Sequence, residues 1–188
     1  MGNPGEKYRA TRHNMGFLLL ELLAEKYSLT WAKPAREYSL CEYELGDMPM
    51  VFLKPTTYMN LSGDALQAFS ARESFEPGEL LVLCDDFALS LGRLRLRKRG
   101  SDGGHNGLRS IIDALGSEDF PRLRIGIGPV PEGMDPAEFV LQPFLEEEKG
   151  LVADAVHRAA DCFETLVREG FDRAMGEFNA PSTSAEND

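Results

Sequence analysis

The sequence predicts a single α/β domain with a mixed, twisted sheet flanked by helices. Three observations point there. Apolar runs of strand length interleave with segments of helical periodicity. The chain has 188 residues, a length that suits one domain and buries roughly 70% of the unfolded surface. Hydrophobic residues make up 43% and charged residues 27%, ordinary globular usage that excludes a disordered or collagen-like chain. No internal repeat and no linker rich in Gly, Ser or Pro divides it, so the domain is expected over residues 1–179. Residues 180–188 read as a disordered polar tail.

From Thr11 to Tyr27, Phe17, Leu18, Leu22 and Leu23 recur at helical spacing, with Thr11 placed as N-cap. Glu37 to Leu45 alternates, Pro49 to Leu53 is a short apolar run, and Gly46-Asp47 between them supplies the turn of a hairpin. Ser62 is placed as the cap of a helix carrying Ala65, Leu66 and Phe69. Leu80 to Cys84 reads as a strand buried on both faces that ends at Asp85-Asp86. Leu94 and Leu96 alternate with Arg93, Arg95 and Arg97, a half-buried strand with a basic outer face. Leu108, Ile111, Ile112 and Leu115 mark a helix that Gly116 stops. Leu123 to Ile127 is a strand, Asp135-Pro136 a helix start, and Leu145 to Glu169 a long helix.

The formal net charge is −11, which at first counts against a nucleic-acid partner. By region the picture changes: residues 1–92 hold 8 basic and 13 acidic groups, residues 93–124 hold 8 and 4, and residues 125–188 hold 4 and 14. A basic stretch therefore lies inside an acidic protein, although a charge run is ordinarily a solvated face. Cys41, Cys84 and Cys162 are widely spaced and flanked by apolar residues, which suits buried small hydrophobes and neither a disulfide framework nor a zinc site. No apolar run reaches membrane-spanning length and the start lacks a signal-peptide pattern, so a cytoplasmic protein is expected.

Four polar constellations sit where strands or loops meet helices, a common place for α/β sites. Gly2-Asn3-Pro4-Gly5 fixes a turn able to present the Asn3 amide, followed by Tyr8, Thr11, Arg12, His13 and Asn14. His13 falls at the helix start, where a neutral imidazole can act as a base or simply cap. In Lys54 to Gly63, Tyr58 and Met59 can form an apolar wall and Asn60 can bond a carbonyl or amide, beside the plainer reading of loop chemistry. Asp85 can fix a histidine tautomer. Two adjacent acids can instead hold Mg²⁺, but the chain lacks a phosphate-cradling loop and the expectation is no metal. Arg97 to Gly107 runs from a basic strand through a Gly-rich loop to a helix start bearing His105 and Asn106, a pattern suited to a phosphate. Together these supply one base, one carboxylate, three asparagines and an anion site. Such a set suits general-base attack of water on an acyl group of an anionic substrate.

The motifs G-N-P-G-x-x-Y-x-x-T-R-H-N-x-G, K-P-T-T-Y-M-N-L-S-G, D-D, G-G-H-N-G-L and R-L-R-I-G-I-G-P, in this order, closely resemble those of bacterial peptidyl-tRNA hydrolase from Gly2 to about Phe178. The resemblance implies a monomeric phosphorylase/hydrolase-like domain, without cofactor or metal, that cleaves the ester between a peptide and the 3′ end of tRNA. Carried over by position, His13 is the implied catalytic base, Asp85 its orienting carboxylate, and Asn60 belongs with both at the reaction centre. Asn3, Asn60 and Asn106 are the implied amides that hold the peptide and scissile carbonyl, with Tyr8 and Tyr58 beside them. Arg97 and Arg124 are implied contacts to tRNA phosphates at the acceptor stem. Two departures follow. Only Met1 precedes the G-N-P-G turn where the family has a strand, which implies an absent first strand, a frayed Asn3 and a reading frame extending upstream. Residues 129–138 also lack the lysine that the family often has there, so the phosphate grip is weaker or relocated. Two other readings stay open: a non-catalytic relative acting as an RNA- or protein-binding module, and an acyl hydrolase of small esters.

Overall fold

In the computed structural model of the chain, residues 1–46 and 48–180 are described. Helix α1 (Met15–Lys26) follows a single 3₁₀ turn at Arg12–Asn14. Strands β1 (Tyr38–Leu45) and β2 (Met48–Pro55) pair antiparallel from Tyr38 opposite Pro55 to Leu45 opposite Met48. Next come α2 (Ser62–Ser70), β3 (Val82–Ser90), β4 (Leu94–Arg97), α3 (Asn106–Leu115) and β5 (Arg122–Gly128). The short α4 (Pro136–Phe139), the long α5 (Lys149–Glu169) and α6 (Phe171–Phe178) complete the order. The central sheet has the order β3-β5-β4, with β3 parallel and β4 antiparallel to β5, so it is mixed as expected. No strand precedes α1 among the described residues.

Helices cover both faces of the sheet, which is why the chain enters β3 through the continuous apolar run Leu80–Cys84. On one side Met15, Leu19 and Leu23 of α1 and Val152, Ala155, Ala159 and Phe163 of α5 pack on Leu94, Leu96, Leu123, Ile125 and Ile127. On the other, Leu66 of α2 and Leu108 and Ile111 of α3 pack with Val82, Cys84, Phe120 and Met59. Helices α2 and α3 approach so closely that a Cβ at Gly63 would fall 2.2 Å from the Ser110 carbonyl oxygen. That contact sets Asn60 and Asn106, at the starts of the two helices, on one edge of the domain. All three cysteines are free and buried.

Several boundaries and caps differ from expectation. Thr11 does not cap α1; its hydroxyl bonds back to the Tyr8 carbonyl at 2.8 Å. Ser62 likewise donates to the Met59 carbonyl at 2.8 Å, and α2 is entered through a 3₁₀ turn at Met59–Leu61. Short hydroxyl side chains have such local alternatives, and here they close the preceding turn. Strand β3 continues beyond Asp85-Asp86 to Ser90, so both acids lie inside a strand. Asp135 caps α4 by accepting from the Ala137 amide, but that helix lasts one turn, and α5 begins only after a 3₁₀ turn at Glu146–Glu148. Helix α6 was not anticipated. Gly170 at φ +91° breaks α5, and the chain restarts at Phe171. Just beyond α6 the Asn179 carboxamide pairs with the backbone of Leu96 (2.7 and 3.1 Å) and covers the edge of β4. Asp47 of the hairpin turn and residues 181–188 of the expected tail lie outside the described residues.

Candidate active site

Asp85, 2% exposed on β3, is the centre of the site. His13 reaches it from the turn before α1, with Nδ1 2.9 and 2.8 Å from the two carboxylate oxygens. His105 reaches it from the start of α3, with Nε2 3.1 Å from Oδ1. A carboxylate only accepts, so the His13 proton sits on Nδ1 and its Nε2 keeps the lone pair. His105 Nδ1 accepts from the amides of Gly107 (3.1 Å) and Leu108 (3.2 Å), so its proton sits on Nε2 and points at Asp85. Burial pushes the Asp85 carboxyl up, but the imidazoles of His105 and His13 outweigh it and hold the group well below the usual carboxylate range.

The turn that carries His13 is fixed from the opposite side of the molecule. The Arg12 and His13 amides donate to the carbonyls of Gln142 (3.0 Å) and Val140 (2.8 Å). The Arg12 guanidinium lies between the rings of Phe139 (4.6 Å) and Phe144 (4.7 Å) and forks onto Glu148 at 3.1 and 2.6 Å. Burial raises the Glu148 carboxyl, and Arg12 with the Leu145 amide brings it below its ordinary value.

Asn3 is not frayed. It is 7% exposed, its amide donates to Asn14 Oδ1 (2.8 Å), its carbonyl accepts from Asn14 Nδ2 (3.1 Å), and its Oδ1 accepts from the Met59 amide (2.8 Å). The carboxamide thus ties the G-N-P-G turn to the Met59 turn and leaves its Nδ2 as the group on offer. Beside it the rings of Tyr8 and Tyr58 meet edge to face at 6.2 Å. Asn60 and Asn106 line a groove of about 300 Å³ together with Asp64, Gln67, Arg109 and Ser110. Asn60 makes no hydrogen bond to the His13–Asp85 pair; it stands at the groove, not in the buried cluster.

The neighbouring acids do not form a divalent-cation pair. Successive strand residues point to opposite faces, and Asp86 is taken by Arg124 (3.1 Å) and the Ala88 amide (2.9 Å). His13, Asp85 and His105 do bring three ligand atoms within 4.8 Å of one another. A metal on His105 Nε2 would drive its proton to Nδ1, against the two amides that Nδ1 accepts from. The donor set fits a hydrogen-bonded triad better than a metal centre.

The comparisons with known proteins meet this geometry. The sequence description of the family "Peptidyl-tRNA hydrolase" matches residues 1–187. The chain belongs to the peptidyl-tRNA hydrolase family. It is 44% identical over 180 residues to the peptidyl-tRNA hydrolase of Methylacidiphilum infernorum, covering 96% of this chain and 95% of that one. It is 46% identical to that of Chloroflexus aggregans, covering 95% and 96%. Among solved structures, the peptidyl-tRNA hydrolase of Acinetobacter baumannii superposes with a TM-score of 0.88 at 34% identity, covering 95% and 91%. A peptidyl-tRNA hydrolase in complex with N-propanol gives 0.89 at 34% identity, covering 97% and 93%. No described helix is long and apolar enough to cross a membrane.

Of the two basic positions that resemblance marks in this peptidyl-tRNA hydrolase relative, Arg97 is exposed on β4. Arg124 is held by Asp86 and by the Ser101 carbonyl (2.9 Å), and so braces the Gly-rich loop. Arg122, fully buried on a ring contact with Phe120 (4.1 Å), donates to the carbonyls of Gly100, Ser101, Glu118 and Phe120 and holds the same loop from beneath. The sequence named Arg12 and Asn14 beside His13 without giving them a role, and it left the role of His105 open.

Proposed function

We propose that this protein hydrolyses the ester joining the peptide of peptidyl-tRNA to the 3′ end of the tRNA, acting in the cytoplasm as a monomer. The observation that carries the reading is the buried Asp85 fixing His13 with a free Nε2. Water held at that nitrogen gives its proton to His13 as it attacks the ester carbonyl. The tetrahedral intermediate then collapses, the carbon–oxygen bond to the ribose breaks, and His13 returns the proton to the departing 3′ oxygen. The products are a peptide acid and a free tRNA.

Carboxamides suit the rest of the task. Asn3, Asn60 and Asn106 can hold the scissile carbonyl and peptide amides without selecting side chains, and Tyr8 and Tyr58 supply an aromatic wall. An amide partner missing from a free aminoacyl group leaves a site group unpaired, at a cost of about 1–3 kcal/mol. Arg97 offers a phosphate contact toward the acceptor stem, and Arg124 contributes its charge while bracing the loop. The test is release of tRNA from N-acetylaminoacyl-tRNA by wild type and by His13→Asn. Wild type should turn over and the variant should not. Equal rates, or no release by wild type, would sink the reading, and rapid cleavage of unacylated aminoacyl-tRNA would sink the selectivity.

A further inference from the structure

We infer that His105 is a positioning residue for this hydrolysis, locking the carboxylate that in turn orients His13. The inference rests on the hydrolase reading above and adds to it a residue that acts on the base through Asp85.

The geometry of Asp85 by itself leaves one freedom. His13 Nδ1 lies 2.9 and 2.8 Å from the two oxygens, so its proton is shared between them and does not select one rotation of the carboxylate. His105 Nε2 contacts Oδ1 alone, at 3.1 Å, and breaks that symmetry. His105 is itself immobile, because Nδ1 caps α3 by accepting from Gly107 and Leu108. The same two bonds forbid the other tautomer, since a proton on Nδ1 would face two N–H groups. The helix start therefore fixes a proton on Nε2, Nε2 fixes the carboxylate, and the carboxylate fixes the proton of His13. The two rings lie 4.9 Å apart and tilted by 44°, so they do not bond directly, and Asp85 is the link. A carboxylate buried to 2% exposure also needs more than one donor, and His105 supplies the second. The residue after His105 is Asn106 at the substrate groove, so one helix start holds both the base geometry and an amide aimed at substrate.

Two variants separate this role from helix capping. In His105→Asn the shorter side chain still caps through its oxygen but does not reach Asp85, whereas in His105→Gln the amide reaches Asp85 and caps poorly. We expect His105→Asn to keep its fold and its KM within about twofold while kcat falls about tenfold, the worth of one hydrogen bond. His105→Gln should recover part of kcat despite a lower melting temperature. The chain has only three histidines, so long-range proton–nitrogen NMR resolves their tautomers. Wild type should show His105 protonated on Nε2 and His13 on Nδ1, and His105→Asn should show His13 as a tautomer mixture. Wild-type kcat in His105→Asn, a rise in KM alone, or a kcat loss with the His13 tautomer unchanged would each overturn the inference. If His105→Asn does not fold, His105→Gln decides, with a retained Nδ1–H at His13 as support and its loss as refutation. A wild type that releases no tRNA would defeat the hydrolase reading, while the tautomers would still report on the lock.

Discussion

Asp85→Asn should abolish most activity by turning His13 the wrong way. An asparagine offers one acceptor and one donor where Asp85 offers two acceptors. His105 keeps its proton on Nε2 because Gly107 and Leu108 hold Nδ1, so the carboxamide oxygen must occupy the Oδ1 position, 3.1 Å away. The NH₂ group then takes the Oδ2 position, 2.8 Å from His13 Nδ1. Two donors face each other there, and although the carboxamide oxygen still lies 2.9 Å from Nδ1, His13 escapes the clash by moving its proton to Nε2, which removes the lone pair that accepts the water proton. Loss of the correct tautomer in a His–carboxylate pair costs roughly 10⁴ in kcat, or about 5 kcal/mol of barrier. Single-turnover release of tRNA measures it, with far-UV circular dichroism to establish that the variant is folded. A variant retaining more than a tenth of wild-type kcat would refute the tautomer argument. Stability supplies a second readout. The folded-state pKa of Asp85 lies below its unfolded value, so its contribution is present above the ordinary carboxylate pKa of about 4 and disappears as pH falls toward the folded value. The melting temperature of wild type should therefore climb more steeply than that of Asp85→Asn as pH is raised from acid toward about 5.

Two other predictions concern the supports of the site. Arg12→Ala removes a fork and two ring contacts and strands Glu148, whose side chain is 24% exposed, so denaturant unfolding should show a loss of about 3 kcal/mol; a change below about 1 kcal/mol would contradict it. Because Arg12 and the Leu145 amide hold the Glu148 carboxyl low, that difference should narrow as pH drops below the usual carboxylate range. Replacing Arg95 and Arg97 together with Gln should raise KM, spare kcat, and flatten the plot of log affinity for tRNA against log salt by about 0.7–0.9 per charge removed. An unchanged salt slope in a fluorescence anisotropy titration would place the phosphate grip elsewhere.

Much of this molecule is legible in its sequence, and the illegible parts share a physical reason. The apolar run before Asp85, the i, i+3, i+4, i+7 pattern of α3, the Arg–Leu alternation of β4 and the Asp135 cap all express local rules, and the structure follows them. What escaped depends on partners distant in sequence. Nothing local says that β3 continues through two acids; it does so because one accepts hydrogen bonds from two histidines and the other pairs with Arg124. Asn3 looked frayed because its partners, Asn14 and Met59, are visible only once the turns are brought together. The long helix ends at Glu169 as expected, while α6 at Phe171–Phe178 carried too short a pattern to be read as a helix of its own. The candidate site was readable as a set of residue types and a family pattern. The tautomers that make it chemically specific come from backbone amides at the start of α3.

Net charge was the weakest guide of all, and the ion pairs show why. The eight bases between residues 93 and 124 look like a broad phosphate platform. Most of them serve the protein itself: Lys98 pairs with Asp172, Arg99 with Asp119, Arg109 with Asp102 and Arg124 with Asp86, Arg93 bonds the Asn179 carbonyl, and Arg122 is buried among loop carbonyls. Arg95 and Arg97 remain, two residues apart on the exposed face of β4 and without an ion pair among the described residues. On the proposed function, a footprint of these two charges would hold a tRNA phosphate only weakly, beside the loop that Arg124 braces. An enzyme that must release tRNA after each turnover gains little from a larger grip.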